Sequence, residues 1–175
     1  MNRTQMNRIF LGLLLINITT FSFSLGSKEQ TLESYNFFAL GTTCTVNIYG
    51  GTEEQFAGIE ELITGIESRM SVKIKDSEIN KVNVSAGVKP VEVSPDVYRV
   101  ISAGVRFSEI SSGAFDISVG PLVNLWAIGN GGSDVPAEKD IAEALKMIDY
   151  TKIELLPTDR ILGDRIYLPE KGMAL

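Results

Sequence analysis

Between Phe37 and Met70 the hydrophobic period changes once, at Gly50-Gly51, and that change constrains the fold more than any other feature of the chain. Before it, Cys44, Val46 and Ile48 alternate with Thr43, Thr45 and Asn47, the two-residue period of a half-buried strand beginning at Phe37 and ending at the glycine pair. After it, Thr52 and Gln55 stand at capping-box spacing. Phe56, Ile59, Leu62, Ile63, Ile66 and Met70 then recur at helical spacing, predicting a helix from about Glu53 to Met70 whose apolar stripe faces a core. A strand feeding a long amphipathic helix commits the chain to a mixed architecture.

The remaining elements follow the same logic. Residues 71–87 are polar and break the pattern, and a short strand is expected around Val91 and Val93. Ser94-Pro95-Asp96 is a helix opening, with serine as cap, proline at the first helical position and an acid at the positive end of the dipole, so a second helix should run to about Ser111. A third helix opens near Pro136 and carries Ile141, Leu145 and Ile148, and the β-rich stretches 153–156 and 160–168 read as a hairpin. Helices and strands that do not alternate strictly favour an α+β fold, a mixed or antiparallel sheet packed by about three helices, over a doubly wound parallel sheet. The 175 residues suffice for one domain with its own core.

Composition excludes several chemistries. With 16 basic against 22 acidic residues the chain carries −6, and its Lys and Arg form no dense run, which argues against a nucleic-acid binder. An anionic ligand would need local help. The lack of histidine removes the Ser-His-Asp relay, the usual general base and most zinc sites. Cys44, the single cysteine, cannot form an internal disulfide, and its place in an alternating stretch reads as a buried packing residue ahead of a reactive thiol.

Residues 1–24 read as a secretory signal peptide: Arg3 and Arg8 without an acid, an apolar run over 9–18 broken only by Gly12 and Asn17, then Ser22 and Ser24 as small residues before the cleavage point. The run falls short of the roughly 18 residues of a spanning helix, which makes an uncleaved membrane anchor the rival reading. Residues 25–175 are then the mature domain, expected outside the cytoplasm and periplasmic, with peripheral membrane association as a further expectation.

Three stretches are polar or glycine-rich where a core alone would not require it. In Leu40-Gly41-Thr42-Thr43, Gly41 suits either a strand-opening bulge or the close approach of a flat ligand. In residues 70–83, Ser77 and Glu78 suit the start of a short helical turn, and Lys73 and Lys75 suit either solvent or a ligand. In residues 112–126, Asp116 lies among apolar residues ahead of a Gly-Pro break. A carboxylate so placed must either cap backbone amides or hold polar groups of a ligand.

Together these stretches resemble the ApbE family of FAD:protein FMN transferases, in the family's order from Ala39 to Leu175. The most specific part is Gly113-Ala114-Phe115-Asp116-Ile117 running into Val119-Gly120-Pro121-Leu122-Val123-Asn124-Leu125-Trp126. Leu40-Gly41-Thr42 is similar to the family's Met-Gly-Thr strand, and residues 71–83 to its serine-rich loop ending in Ser-Glu-Ile and then Asn. The chain departs from the family at Leu40, usually Met, and at Lys73, often aromatic.

The resemblance implies that Leu40 packs on the flavin, that Lys73, Ile74 and Lys75 contact FAD, and that the turn of Ala114, Phe115 and Asp116 holds a polar part of it. It implies a magnesium-dependent attack by a Thr or Ser hydroxyl of an acceptor flavoprotein on the FMN phosphorus of FAD, with AMP leaving. In the family a segment like residues 171–175 leads into an Asp-Leu-Gly-Gly-Ile-Ala-Lys-Gly stretch, with the metal ligands later. The expectation is therefore an N-terminal part, C-terminally incomplete, with no catalytic residue or metal ligand assigned to this chain. Alternative readings are a secreted FAD-binding module without catalysis, an FAD pyrophosphatase releasing FMN and AMP to water, and a plain structural domain.

Overall fold

In the computed structural model, residues 30–129, 131–132, 134–158 and 163–175 are described. The leader 1–24 lies outside them.

The alternating stretch becomes two strands. β1 (Leu32–Ala39) and β2 (Thr42–Tyr49) pair antiparallel, with Leu32 opposite Tyr49 and Ala39 opposite Thr42. The sequence predicts one strand from Phe37 onward, whereas Leu40 and Gly41 form a two-residue hairpin turn between two strands. Both have positive φ, 55° and 72°, the pattern of a type I′ turn that matches the twist of the flanking strands. Glycine adopts this freely, whereas leucine takes it at a cost of about 1–2 kcal/mol. The familiar Asn-Gly signal is absent.

The inner face of the hairpin carries Tyr35, Phe37 and Ala39 on β1 and the half-buried Cys44, Val46 and Ile48 on β2. Cys44 is thus a packing residue at the edge of the core and not fully enclosed; its Sγ lies 3.7 Å from the carbonyl oxygen of Ala39. Helix α1 (Glu53–Met70) packs on β1, where Tyr35 stacks on Phe37 and Phe56 at 5.8 and 5.5 Å between centroids. The capping box is formed: Thr52 N donates to Gln55 Oε1 at 3.0 Å, and Gln55 N to Thr52 Oγ1 at 3.3 Å. Phe56 is buried and Ile59, Ile63, Ile66 and Met70 half-buried, but Leu62 faces solvent, so the stripe is narrower than its sequence suggests.

The polar segment holds a helix, α2 (Glu78–Val84), whose N-cap Ser77 accepts a bond from Asn80 N at 3.1 Å. Short strand β3 (Val91–Glu92) follows, then α3 (Pro95–Ile110). Ser94 occupies the cap position of α3 without a side-chain capping bond; instead its N–H donates to Glu78 Oε2 at 2.6 Å, which ties α3 to α2. The Gly-Pro pair, read as a break, opens another helix, α4 (Gly120–Leu125). Pro121 lies in its first turn, where a missing N–H leaves no bond unmade.

Helix α5 (Glu138–Leu145) leads through a 3₁₀ turn (Tyr150–Lys152) to β4 (Glu154–Leu156) and β5 (Arg165–Tyr167), which pair antiparallel as the expected hairpin. β3 adds to the other edge of β5, also antiparallel, giving the order β3-β5-β4. The core lies between this sheet and helices α2 and α3, centred on Val82, Val97, Ile101, Ile166, Leu168 and Met173. The fold is α+β as the sequence implied, with five α-helices among the described residues where about three were expected. The two additions, α2 and α4, are the ones that build the candidate site.

Candidate functional site

The loop after α1 is fixed by side chains acting on its own backbone. Ser71 Oγ accepts from Lys73 N at 3.2 Å, and both amide hydrogens of Asn80 are used, one on Val72 O and one on Ile74 O, each at 2.8 Å. These bonds shape residues 71–74 into a wall, with Lys73 projecting across it. The Lys73 ammonium donates to the carbonyl oxygen of Gly129 at 3.2 Å.

Two hollows meet at this wall. One, of about 370 Å³, lies between the Leu40-Gly41 turn and residues Met70, Val72, Lys73 and Ile74, with Glu67 at its side. The other, of about 540 Å³, lies between Val72 and Lys73 on one side and α2, α4 and the last residue on the other, through Asn80, Asn83, Gly120, Asn124 and Leu175. Val72 and Lys73 line both, making one cleft in two parts. Its lining mixes apolar side chains such as Leu40, Val72 and Val123 with the amides Asn80, Asn83 and Asn124, the mixture expected of a site for a flat, partly polar ligand.

The second part depends on a tight seam. Gly120 lies so close to Ala174 that a Cβ there would stand 2.7 Å from the Ala174 carbonyl oxygen, and Val119 and Ala174 form a parallel bridge. Asn83 brackets the next residue, accepting from Leu175 N at 2.9 Å and donating to Leu175 O at 3.4 Å. The buried Met173 anchors the segment in the core.

Leu40, Lys73 and Ile74 are therefore brought together, while Lys75, Ala114, Phe115 and Asp116 line neither hollow. Asp116 caps backbone amides. Oδ1 accepts from Ser118 N at 2.8 Å and from Ser118 Oγ at 2.6 Å, and Oδ2 from Tyr150 N at 3.3 Å. Ser118 Oγ in turn accepts from Asp149 N at 2.8 Å. This knot pins the 113–118 turn to the start of the 3₁₀ turn and so sets where α4 begins. The turn is also held to α3: buried Ser108 Oγ accepts from Ile117 N at 3.1 Å, and Ser111 Oγ from Phe115 N at 3.0 Å. Phe115 remains half exposed beside it.

Next to Asp116, the Asp149 carboxyl is held below its ordinary value chiefly by the Thr151 hydroxyl, with Lys152 adding to the effect. Lys152 is held above its ordinary value, first by the Glu170 carboxylate at 3.0 Å.

Asn80, Asn83, Gly120, Asn124 and Leu175 were not singled out from the sequence as site residues. The signal was present, since Asn80 and Asn83 fall in the 70–83 stretch and Gly120 and Asn124 in the 112–126 stretch, but one-dimensional spacing does not show that α2 and α4 face each other.

The ApbE family model matches residues 40–175 of the chain, which belongs to that family. Among curated relatives, an FAD:protein FMN transferase of Haemophilus influenzae is 28% identical over 159 residues, covering 86% of this chain and 46% of the relative. One from Klebsiella pneumoniae is 30% identical over 151 residues, covering 85% of this chain and 46% of the relative. The crystal structure of the Pseudomonas stutzeri flavinyl transferase ApbE, in its apo form, superposes with a TM-score of 0.70 at 27% identity, covering 84% of this chain and 47% of that one. The chain spans about half the length of the relatives it matches.

Proposed function

We propose that this chain contributes the flavin-binding part of an FAD:protein FMN transferase. The observation that carries the proposal is the two-part cleft built by the Leu40-Gly41 turn, the 71–74 loop, α2 and α4, in a chain that belongs to the ApbE family. In this reading Leu40, held at a hairpin tip with its side chain exposed, packs on the isoalloxazine ring. Lys73 and Ile74 contact the rest of FAD from within the cleft, while Lys75 contacts it, and the turn of Ala114, Phe115 and Asp116 holds a polar part of it, from outside the two hollows.

The proposed reaction is attack by a Thr or Ser hydroxyl oxygen of an acceptor flavoprotein on the FMN phosphorus of FAD. The bond from that phosphorus to the bridging oxygen breaks, AMP departs with that oxygen, and the hydroxyl proton is lost. For such a transfer the chain's residues bind and orient the flavin half while the acceptor is brought in line.

Magnesium is the cofactor proposed for the whole transferase, where it would neutralise pyrophosphate charge. Among the described residues no three His, Cys, Asp or Glu side chains converge, so these residues do not fit such an ion and no step is routed through it. The second reading is an FAD-binding module without catalysis.

The deciding experiment mixes the full chain with FAD, magnesium and an acceptor flavoprotein and follows bound flavin, AMP and covalent flavin on the acceptor. Flavinylated acceptor with stoichiometric AMP supports transfer, AMP without it supports an FAD pyrophosphatase, and bound flavin without AMP supports the binding module. No bound flavin refutes the flavin reading and leaves a structural domain.

We further propose an extracytoplasmic, periplasmic location, supported by the composition of residues 1–24, with an uncleaved anchor as the rival. No described helix is long and apolar enough to cross a membrane. Detecting the mature protein with residue 25 as its N-terminus in a periplasmic fraction tests cleavage and location together.

A further inference from the structure

We propose that Lys73 is the phosphate-binding residue of the cleft and makes it selective for flavin nucleotides over the uncharged flavin. This deepens the flavin reading and rests on it.

Among the described residues, Lys73 is the one cationic side chain lining the two hollows, and it lines both. It lies where they join, so one ammonium is within reach of a ligand lying in either part. That ammonium has no acidic partner among the described residues; its bond at 3.2 Å is to the neutral carbonyl of Gly129. An ammonium has three donors, and this bond uses one, leaving two for a ligand. The Gly129 backbone, with φ of 76°, presents that carbonyl to Lys73, and the position of its absent Cβ is 3.6 Å from Nζ. The tether limits the freedom of a flexible stem, so less is lost when a ligand binds.

The loop beneath Lys73 is held equally firmly. Its N–H is taken by Ser71 Oγ, and Asn80 clamps the carbonyls of Val72 and Ile74 on either side. Such a cation, placed before any ligand arrives, supplies the local positive charge that a chain with a net charge of −6 needs to admit an anion. Glu67 lines only the smaller hollow and disfavours an anion there, so phosphate is favoured in the larger one, which Lys73 also lines.

The test titrates the full chain with riboflavin, FMN and FAD by flavin fluorescence, in the wild type and in Lys73→Gln, which removes the charge but keeps a hydrogen-bond donor of similar reach. The expected result is a roughly 10- to 100-fold loss of FMN and FAD affinity with riboflavin unchanged, the size of a charge-assisted hydrogen bond. Lys73→Arg should restore most of the loss, and the nucleotide preference should shrink as salt rises. An equal loss for riboflavin, or no loss for any ligand, overturns the proposal. Thermal shift with inorganic pyrophosphate separates the two levels of failure. If no flavin binds but pyrophosphate stabilises the wild type and not Lys73→Gln, the flavin reading fails and the anion site stands. If pyrophosphate also acts alike on both, the anion site falls as well.

Discussion

Replacing Asp116 separates the two roles that a carboxylate among apolar residues can have. In the fold it accepts three hydrogen bonds, from Ser118 N, Ser118 Oγ and Tyr150 N, at 2.8, 2.6 and 3.3 Å. Asp116→Ala removes all three and leaves two backbone N–H groups in a half-buried knot without their acceptors. Bonds to a charged acceptor contribute about 1.5–3 kcal/mol each, but the longest is weak and the three share one side chain, so the expected loss is about 3 kcal/mol. For a chain of this size that lowers the melting temperature by roughly 6–12 °C. Asp116→Asn keeps one acceptor oxygen and turns an NH₂ towards the other partner, so its loss should be about half as large, near 1–2 kcal/mol. The assay is urea unfolding followed by circular dichroism, with riboflavin and FAD titrations of the folded variants alongside. The reasoning is refuted if Asp116→Ala costs under about 1 kcal/mol while flavin affinity falls more than tenfold, because the carboxylate would then be serving a ligand and not the backbone.

Leu40 holds φ of 55° in a two-residue turn, so Leu40→Asn should stabilise the hairpin by about 1 kcal/mol while lowering riboflavin affinity several-fold through lost apolar contact; chemical denaturation and fluorescence titration read the two effects separately. Gly120→Ala would drive a methyl to 2.7 Å from the Ala174 carbonyl and should cost about 2 kcal/mol. Gly58→Ala, in open space within α1, should instead gain about 0.5–1 kcal/mol, so equal outcomes in a melting experiment would contradict the seam. Asp149 is depressed from 3.8, so its contribution is present above that value and is lost as pH falls through the lower, folded one. Lys152 is raised from 10.5, so its contribution is present below that value and is lost as pH rises through the higher, folded one. Urea midpoints measured from neutral pH down to 3 should show an acid limb that is weaker in Asp149→Asn.

The sequence carried much of the fold because several elements are set by local chemistry. The Thr52-Gln55 box fixes where α1 begins, and Pro95 fixes where α3 begins, through bonds and torsions spanning a few residues. Family membership was equally legible, since the ordered residues of 113–126 are unusual enough to be recognised in one dimension. Local signals failed where a neighbour in space overrode them. Leu40-Gly41 carries no customary turn signal and yet turns, because pairing along β1 and β2 sustains the strained leucine. Gly120-Pro121 carries a break signal and yet starts α4, because Ala174 packs against the glycine and proline is harmless in a first turn.

For the site, the sequence determined which residue types are available: an apolar side chain at position 40, a lysine at 73, asparagines at 80 and 83, and no histidine anywhere. Tertiary structure alone decided which of them share a cleft. It placed Leu40, Lys73 and Ile74 together, committed Asp116 to Ser118 and Tyr150, and brought Leu175 between Asn83 and α4. The reason is physical: a cleft is made by elements distant along the chain, and only packing of α2, α4 and the 171–175 segment on one core brings their rims within reach of the same ligand.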